Sequence, residues 1–372
     1  MLKIGMVTSC YHPVVNGVVR MIELYREQLE QLGHKVTVFS FGPSSPQDDN
    51  QIVRLGGIPL GKTGYHWRPY FPASAIQQLN QVDVIHCHHL FLGPEMLPSR
   101  VQPPIVYTNH TRYNLYAENY LPIPIPTVRK WVAEQSIRRI WAKNTAGCTA
   151  VIAPSEHVAD VMQEYGVIAP IEVIHNGINL SSFKPIHQTS NRSQKMGVFV
   201  GRLSPEKEIS NLIDGMIGAC QQSANVQFKL VGNGPLRAHS QRQIDTAGMT
   251  KRIELYGWAA QEEIPNILAK ADFQVTMSIS EVHPLAIIEG MAAGLPGVVL
   301  AEGAMAECVG DSAIKADGRD AWISGVLELA DSADLRASLR AKAIVQASNY
   351  NIDQTVKKTV ALYQKIIDKN YP

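Results

Sequence analysis

A surplus of charge is the first thing this chain lacks: 34 Lys+Arg stand against 33 Asp+Glu over 372 residues, a net charge of +1. That excludes a nucleic-acid binder relying on a strong overall positive field, and any basic partner surface must be local. Cysteine is sparse and unpatterned. Cys10, Cys87, Cys148, Cys220 and Cys308 are odd in number and include no C-x-x-C, so they indicate neither a disulfide framework nor a zinc site and fit a reducing cytoplasm. No apolar run reaches the roughly 18 residues of a membrane span, and the N-terminus runs into a strand without a signal-peptide pattern, so any membrane contact is expected to be peripheral. No Asp-x-Asp triplet occurs, which removes a common acidic clamp for a divalent ion on a diphosphate. A dinucleotide-binding dehydrogenase is excluded as well. It needs G-x-G-x-x-G after the first strand and an acid ending the second, whereas Thr8 to Gly17 holds one glycine and the second strand ends at Phe39-Ser40-Phe41.

What is present is a repeated α/β pattern. The strand Lys3-Ile4-Gly5-Met6-Val7, a loop to Gly17, a helix from about Val18 to Leu32 and a strand at Lys35 to Phe39 form a βαβ unit, which predicts a parallel sheet. Further strands are expected at Val82 to His89, Ile105 to Thr108 and Thr149 to Ser155, with 41–79 read as polar and rich in Gly and Pro. A Ser/Gln/Asn-rich linker at 186–194 precedes a second series of strands at Met196 to Val200, Gln227 to Val231, Ile253 to Tyr256 and Phe273 to Met277. Two such series imply two Rossmann-like domains with a cleft between them. The expected division is 1–168 plus 350–372 against 169–349, with the amphipathic C-terminal segment packing back on the first domain.

Chemistry concentrates in 280–296. Glu281 follows a strand, and Glu289 sits eight residues on in an apolar, small-residue run that reads as a helix opening near Pro284 and Leu285 and stopping at Gly294. A charge in that setting is expensive unless it has a task. The open helix N-terminus suits an anion such as a diphosphate, and ionised carboxylates suit the hydroxyl donors of a sugar. Together they describe a nucleotide-sugar site. Arg202 and Lys207, in the loop after 196–200, add a planar fork and a point charge for phosphate oxygens. At other strand ends, His88, His89 and His110 fall where ligands bind in parallel sheets, without the nearby carboxylates that a metal site would use. Segment 127–143 carries Arg129, Lys130, Arg138, Arg139 and Lys143 against Glu134, with Trp131 and Trp141. Two readings fit it: a helix on an anionic membrane surface, or a solvated helix packed through Trp131 and Ile140.

Over most of its length the chain resembles the retaining family 4 glycosyltransferases of the GT-B fold. The resemblance rests on E-x7-E at Glu281 and Glu289 and on G-R-x-x-x-E-K at Gly201, Arg202, Glu206 and Lys207. Asn176-Gly177, Val231-Gly232-Asn233-Gly234 and Gly257-Trp258 add to it. Members often carry Phe-Gly where this chain has His283-Pro284. The run His110, Thr111, Tyr113, Tyr116, Tyr120, Leu121, Pro122 is similar to the H-T-x-Y-x-x-Y-x-x-Y-[IVL]-P pattern of the diacylglycerol glycosyltransferase branch.

The resemblance implies a hexosyltransferase that takes a nucleotide diphosphate sugar, UDP-hexose, as substrate, without metal or other cofactor. Its donor site would use Gly17, Arg202, Lys207, Gly232, Trp258, Glu281, Pro284, Leu285 and Glu289, with His110, Glu281, Arg202 and Lys207 at the reacting centre. Tyr113, Tyr116, Arg129, Lys130, Trp131, Arg138, Arg139 and Trp141 would meet a lipid acceptor and the inner membrane face. Rival readings are transfer to a soluble or polysaccharide acceptor and, in another class, a non-catalytic sugar-nucleotide-binding protein, which donor hydrolysis would separate.

Overall fold

The computed structural model describes residues 1–60, 64–91, 93–97, 99–115, 123–185 and 193–370. The chain forms two compact units, 1–177 with 352–372 and 178–351.

The first unit is built on a seven-stranded parallel sheet in the order β3-β2-β1-β6-β7-β8-β9. Its strands are β1 (Lys3–Thr8), β2 (Lys35–Ser40), β3 (Ile52–Arg54), β6 (Val84–Cys87), β7 (Ile105–Thr108), β8 (Ala150–Ala153) and β9 (Ile171–Val173), with a small antiparallel hairpin of β4 (Ile58–Pro59) and β5 (His66–Trp67) set apart. The central strands are short apolar runs buried on both faces, the pattern a helix-covered parallel sheet requires. Helix α1 (Gly17–Gln31) starts where the Asn16 side chain accepts the Val19 N–H, and it buries Val18, Ile22, Tyr25 and Leu29 on one stripe. Helices α2 (Ala73–Leu79), α3 (Pro126–Thr145) and α4 (Glu156–Glu164) follow.

The C-terminal helix Ile352–Asn370 belongs to this unit, joined through the Tyr25 and Thr359 hydroxyls at 3.3 Å and through Tyr363 to His86 at 2.6 Å. Two features differ from the sequence reading. The stretch 41–79 contains β3, the hairpin and α2, elements too short for periodicity to reveal. Strand β9, placed by sequence beyond the domain boundary, pairs with β8, and the division falls between Gly177 and Ile178 and between Asn351 and Ile352.

The second unit holds a six-stranded parallel sheet, β12-β11-β10-β13-β14-β15, built from β10 (Lys195–Val200), β11 (Val226–Val231), β12 (Ile253–Gly257), β13 (Phe273–Val275), β14 (Gly297–Leu300) and β15 (Ala313–Ala316). Its helices are α5 (Ile209–Gln222), α6 (Arg237–Thr246), α7 (Ile264–Leu268), α8 (Leu285–Ala292), α9 (Gly303–Val309), α10 (Gly318–Asp331) and α11 (Ala333–Ser348). One apolar core centres on Phe228, Phe273 and Trp322, whose indole donates to Thr276 O at 3.1 Å; the other holds Ile288, Met291, Leu295 and Cys308. The strand order reverses between β10 and β13, and ligands of such sheets bind beyond the strands' carboxyl ends at that point. In the first unit the reversal lies between β1 and β6.

Candidate active site

In the second unit the loops after β10 and β11 interlock. Gly201 N–H donates to Val231 O, Leu203 N–H to Asn233 O and Leu236 N–H to Leu203 O, at 2.9 to 3.0 Å. Gly232 has φ +137°, and a Cβ there would stand 1.9 Å from Gly201 O, so only glycine fits. Its place in the motif is thus demanded by chain packing, whatever ligand it also serves. Glu206 is buried, takes the Ser204 hydroxyl at 2.6 Å and, through its own carbonyl, the hydroxyl of Ser280. The cationic loop is thereby tied to the loop bearing Glu281. Sequence reading had Glu206 as the acid of the G-R-x-x-x-E-K motif but gave it no role, which its burial and its ties to Ser204 and Ser280 now supply.

Lys207 and Glu281, 74 positions apart, meet at 2.6 Å with side chains 22% and 15% exposed. Arg202, from the same loop, is exposed, and its guanidinium has no ion-pair or hydrogen-bond partner among the described residues. It is a cation presented at the switch point. Pro284 stands at the N-cap of α8 rather than in its first turn, with no side-chain cap, and the N–H groups of Ile287 and Ile288 both turn to Pro284 O at 3.1 Å. The N–H groups of Leu285 and Ala286 precede this bonding and face the helix's positive end. Glu289 is buried on α8 and takes the Gln261 amide on Oε1 at 2.7 Å. The helix is held to β13 by the buried Gln274, whose amide donates to Ile287 O and Leu295 O; a Cβ on Gly290 would stand 2.0 Å from the Gln274 oxygen. His283 is buried edge-on to the Tyr350 ring at 4.6 Å, and so packs as an aromatic. Trp258 follows Gly257, at φ +97°, and is exposed.

In the first unit Gly17 opens α1. A Cβ there would meet nothing within 4 Å and its φ is ordinary, so neither packing nor backbone strain calls for glycine. His86, His88, His89 and His110 gather at the carboxyl ends of β6 and β7. His86 bridges Thr108 and Tyr363 at 2.6 Å on each side and lies 4.1 Å from the His88 ring, while His88 Nδ1 meets His110 Nε2 at 3.1 Å with the rings 15° apart. Burial pushes His86 down to about 3 and His89 to about 4, and it holds His88 and His110 well below the ordinary histidine value, each imidazole also opposing protonation of its neighbours in the cases of His88 and His110. His110 keeps part of its surface exposed, so solvent weakens that effect most there. The cluster is neutral at pH 7.

Helix α3 sorts its residues. Trp131 is 62% exposed beside exposed Lys130, but Trp141 is fully buried against Tyr113 and Tyr165. Trp141 is therefore a core residue and not a surface contact, because the helix turns that face onto the sheet. Arg129 is half-buried, and Arg138 donates to Glu164 O and lies 5.1 Å over the Tyr165 ring, whereas Arg139 and Lys143 are exposed. Tyr113 is partly buried and its hydroxyl accepts Leu90 N–H at 3.3 Å; Tyr116 lies outside the described residues.

Two parallel sheets of Rossmann type, with two acids, the Lys207–Glu281 pair and an exposed Arg202 at a strand-order reversal, define a glycosyltransferase of the GT-B class. The chain belongs to the family 4 type of these enzymes: "Glycosyltransferase Family 4" matches residues 15–182 and "Glycosyl transferases group 1" residues 183–346. It is 25% identical over 392 residues to the alpha-monoglucosyldiacylglycerol synthase of Acholeplasma laidlawii, covering 99% of this chain and 98% of that one. Among solved structures, sucrose-phosphate synthase from Thermosynechococcus elongatus matches with a TM-score of 0.77 at 18% identity, over 99% of this chain and 100% of the other. HepE of Anabaena, in complex with UDP and glucose, matches with a TM-score of 0.74 at 19% identity, over 97% and 100%. The structural likenesses show the fold.

Proposed function

We propose that this glycosyltransferase moves a hexose from UDP-hexose to a lipid hydroxyl, such as that of diacylglycerol or a glycosyldiacylglycerol, with retention and without a metal ion, at the inner face of the membrane. The observation that carries the donor half is the convergence of exposed Arg202, the Lys207–Glu281 pair and the uncapped start of α8 at one switch point. Departure of a nucleoside diphosphate builds negative charge, and preorganised cations and helix N–H groups stabilise it without a metal. Glu281 and Glu289 accept from hydroxyl groups of sugar and ribose, and Gln261 sets the orientation of Glu289. His110 carries over from the family resemblance as the group beside the transferred sugar.

The acceptor half is supported by the relative's name and by α3. Ile125, Val128 and Trp131 are exposed at spacings of three, next to exposed Lys130, with Arg139 and Lys143 further along. Apolar groups flanked by cations suit an anionic lipid surface. Among the described residues no helix is long and apolar enough to cross a membrane, so such contact would be lateral. The test is transfer from radiolabelled UDP-glucose and UDP-galactose, in excess EDTA, to lipid extracts and to soluble sugars. Labelled glycolipid with an α linkage is expected. Labelled product from soluble sugars alone would move the acceptor assignment there.

A further inference from the structure

We infer that His88 is a positioning residue that fixes the tautomer of His110, so that His110 presents a neutral Nδ1–H donor and not a base. The inference rests on the reading of His110 as a sugar-facing group, but the tautomer itself follows from local geometry.

His88 Nδ1 and His110 Nε2 lie 3.1 Å apart with nearly parallel rings, so exactly one of these nitrogens carries the shared proton when both rings are neutral. The far nitrogen of His88 settles which. His88 is 1% exposed and its Nε2 is buried without a hydrogen-bond partner. A proton there would be an orphaned N–H, which folded proteins avoid more strictly than an unused lone pair. The His88 proton therefore sits on Nδ1 and is donated to His110 Nε2, and His110 must hold its own proton on Nδ1.

Protonation of His88 is opposed first by its burial and then by the imidazoles around it: the His86 ring lies 4.1 Å away, and His110 and His89 add to the repulsion. His89 differs, because its contact leaves no choice of tautomer. The Ser9 backbone N–H can only donate, and it donates to His89 Nδ1 at 3.2 Å, which forces the neutral ring to carry its proton on the buried, unpartnered Nε2, whereas His110 can accept from His88 or donate to it and so leaves the His88 proton free to avoid such a place. The strand ends thus hold imidazoles whose proton positions are set by the protein before any substrate arrives. For His110 the consequence is chemical. Its Nδ1–H offers a hydrogen to a sugar or phosphate oxygen and has no lone pair with which to take a proton from an acceptor hydroxyl.

The full-length protein labelled with ¹⁵N in histidine decides this. Resonances assigned with His88→Asn and His110→Gln variants should show His110 as the Nδ1–H tautomer between about pH 6 and pH 8, where a free imidazole would titrate. His88→Asn, whose amide can donate from nearly the same place as Nδ1, should keep that tautomer and most of the turnover. His88→Leu should shift His110 toward the Nε2–H form and lower kcat by roughly 100-fold, the low end for losing one fixed donor, with the donor KM little changed. An Nε2–H or cationic His110 in the wild type near pH 7 overturns the inference, as does an Nδ1–H form that persists in His88→Leu. If His88→Leu does not fold, the wild-type resonances still decide. Absence of transfer by the wild-type protein would count against the proposed activity, leaving the tautomer to be judged on its resonances.

Discussion

Removing Lys207 should do two kinds of damage that can be measured apart. The Lys207 ammonium contacts Glu281 at 2.6 Å, and both side chains are mostly shielded from solvent. Lys207→Ala leaves the carboxylate of Glu281 unpaired, at a cost of about 1–3 kcal/mol for a desolvated acceptor that loses its charged donor. For a unit of this size each kcal/mol corresponds to a shift of roughly 2–4 °C, so the melting temperature should fall by about 4–8 °C for a mid-range loss of about 2 kcal/mol. Turnover should suffer more. The site loses a cation and also uncovers an anion where the diphosphate would lie, so release of UDP from UDP-hexose should fall by about 10²–10³-fold. Replacing both partners, Lys207→Met with Glu281→Gln, removes the unpaired charge and should recover most of the melting temperature but none of the activity. Calorimetry and a coupled UDP-release assay read the two effects. Wild-type turnover in Lys207→Ala, with its circular dichroism intact, would refute the assignment of this cation to the leaving group.

Activity is expected to survive excess EDTA; complete loss restored by Mg²⁺ or Mn²⁺ would show that a metal shares the diphosphate. On α3, Trp131→Ala should weaken sedimentation with anionic vesicles at little cost in stability, whereas Trp141→Ala should cost about 3–5 kcal/mol as a cavity in the core; equal melting temperatures of the two variants would contradict the burial described above. Acid should destabilise the first unit early. His86 and His89 are depressed to about 3 and about 4, so below the unfolded value of 6.5 only the unfolded chain takes up their protons. Stability is then fully present above that value and lost as pH falls toward the folded values, by on the order of 2 kcal/mol per histidine at about pH 5. Melting temperatures that stay flat from about pH 7 to pH 5 would argue against neutral buried imidazoles.

Much of the architecture was legible because the strands are apolar runs punctuated by turn residues, and the helices repeat at 3.6. β1, α1 and β2 fall within a residue or two of their expected ends. So does α8, where small apolar residues around Glu289 flagged a charge that needed a reason. The elements of 41–79 were not legible, since strands of two or three residues carry no period. Nor was the fate of Trp141, because a helix that carries Trp on two faces does not say which face the sheet will cover.

By itself the sequence determined which groups are available: the two acids, the two cations, the glycines at loop starts and the histidines at strand ends, all local in the chain and tied to elements whose pattern is local too. Only the tertiary structure decided which of them meet. The Lys207–Glu281 pair spans 74 positions, the tie between Ser280 and Glu206 another 74, and the contact of His86 with Tyr363 spans 277. Such contacts depend on strand order, and strand order is set by how crossovers pack on a sheet rather than by the residues at the strand ends. The proton positions of the histidines were decided at that level as well, since a tautomer is fixed by the partner across the fold and by the absence of water around it.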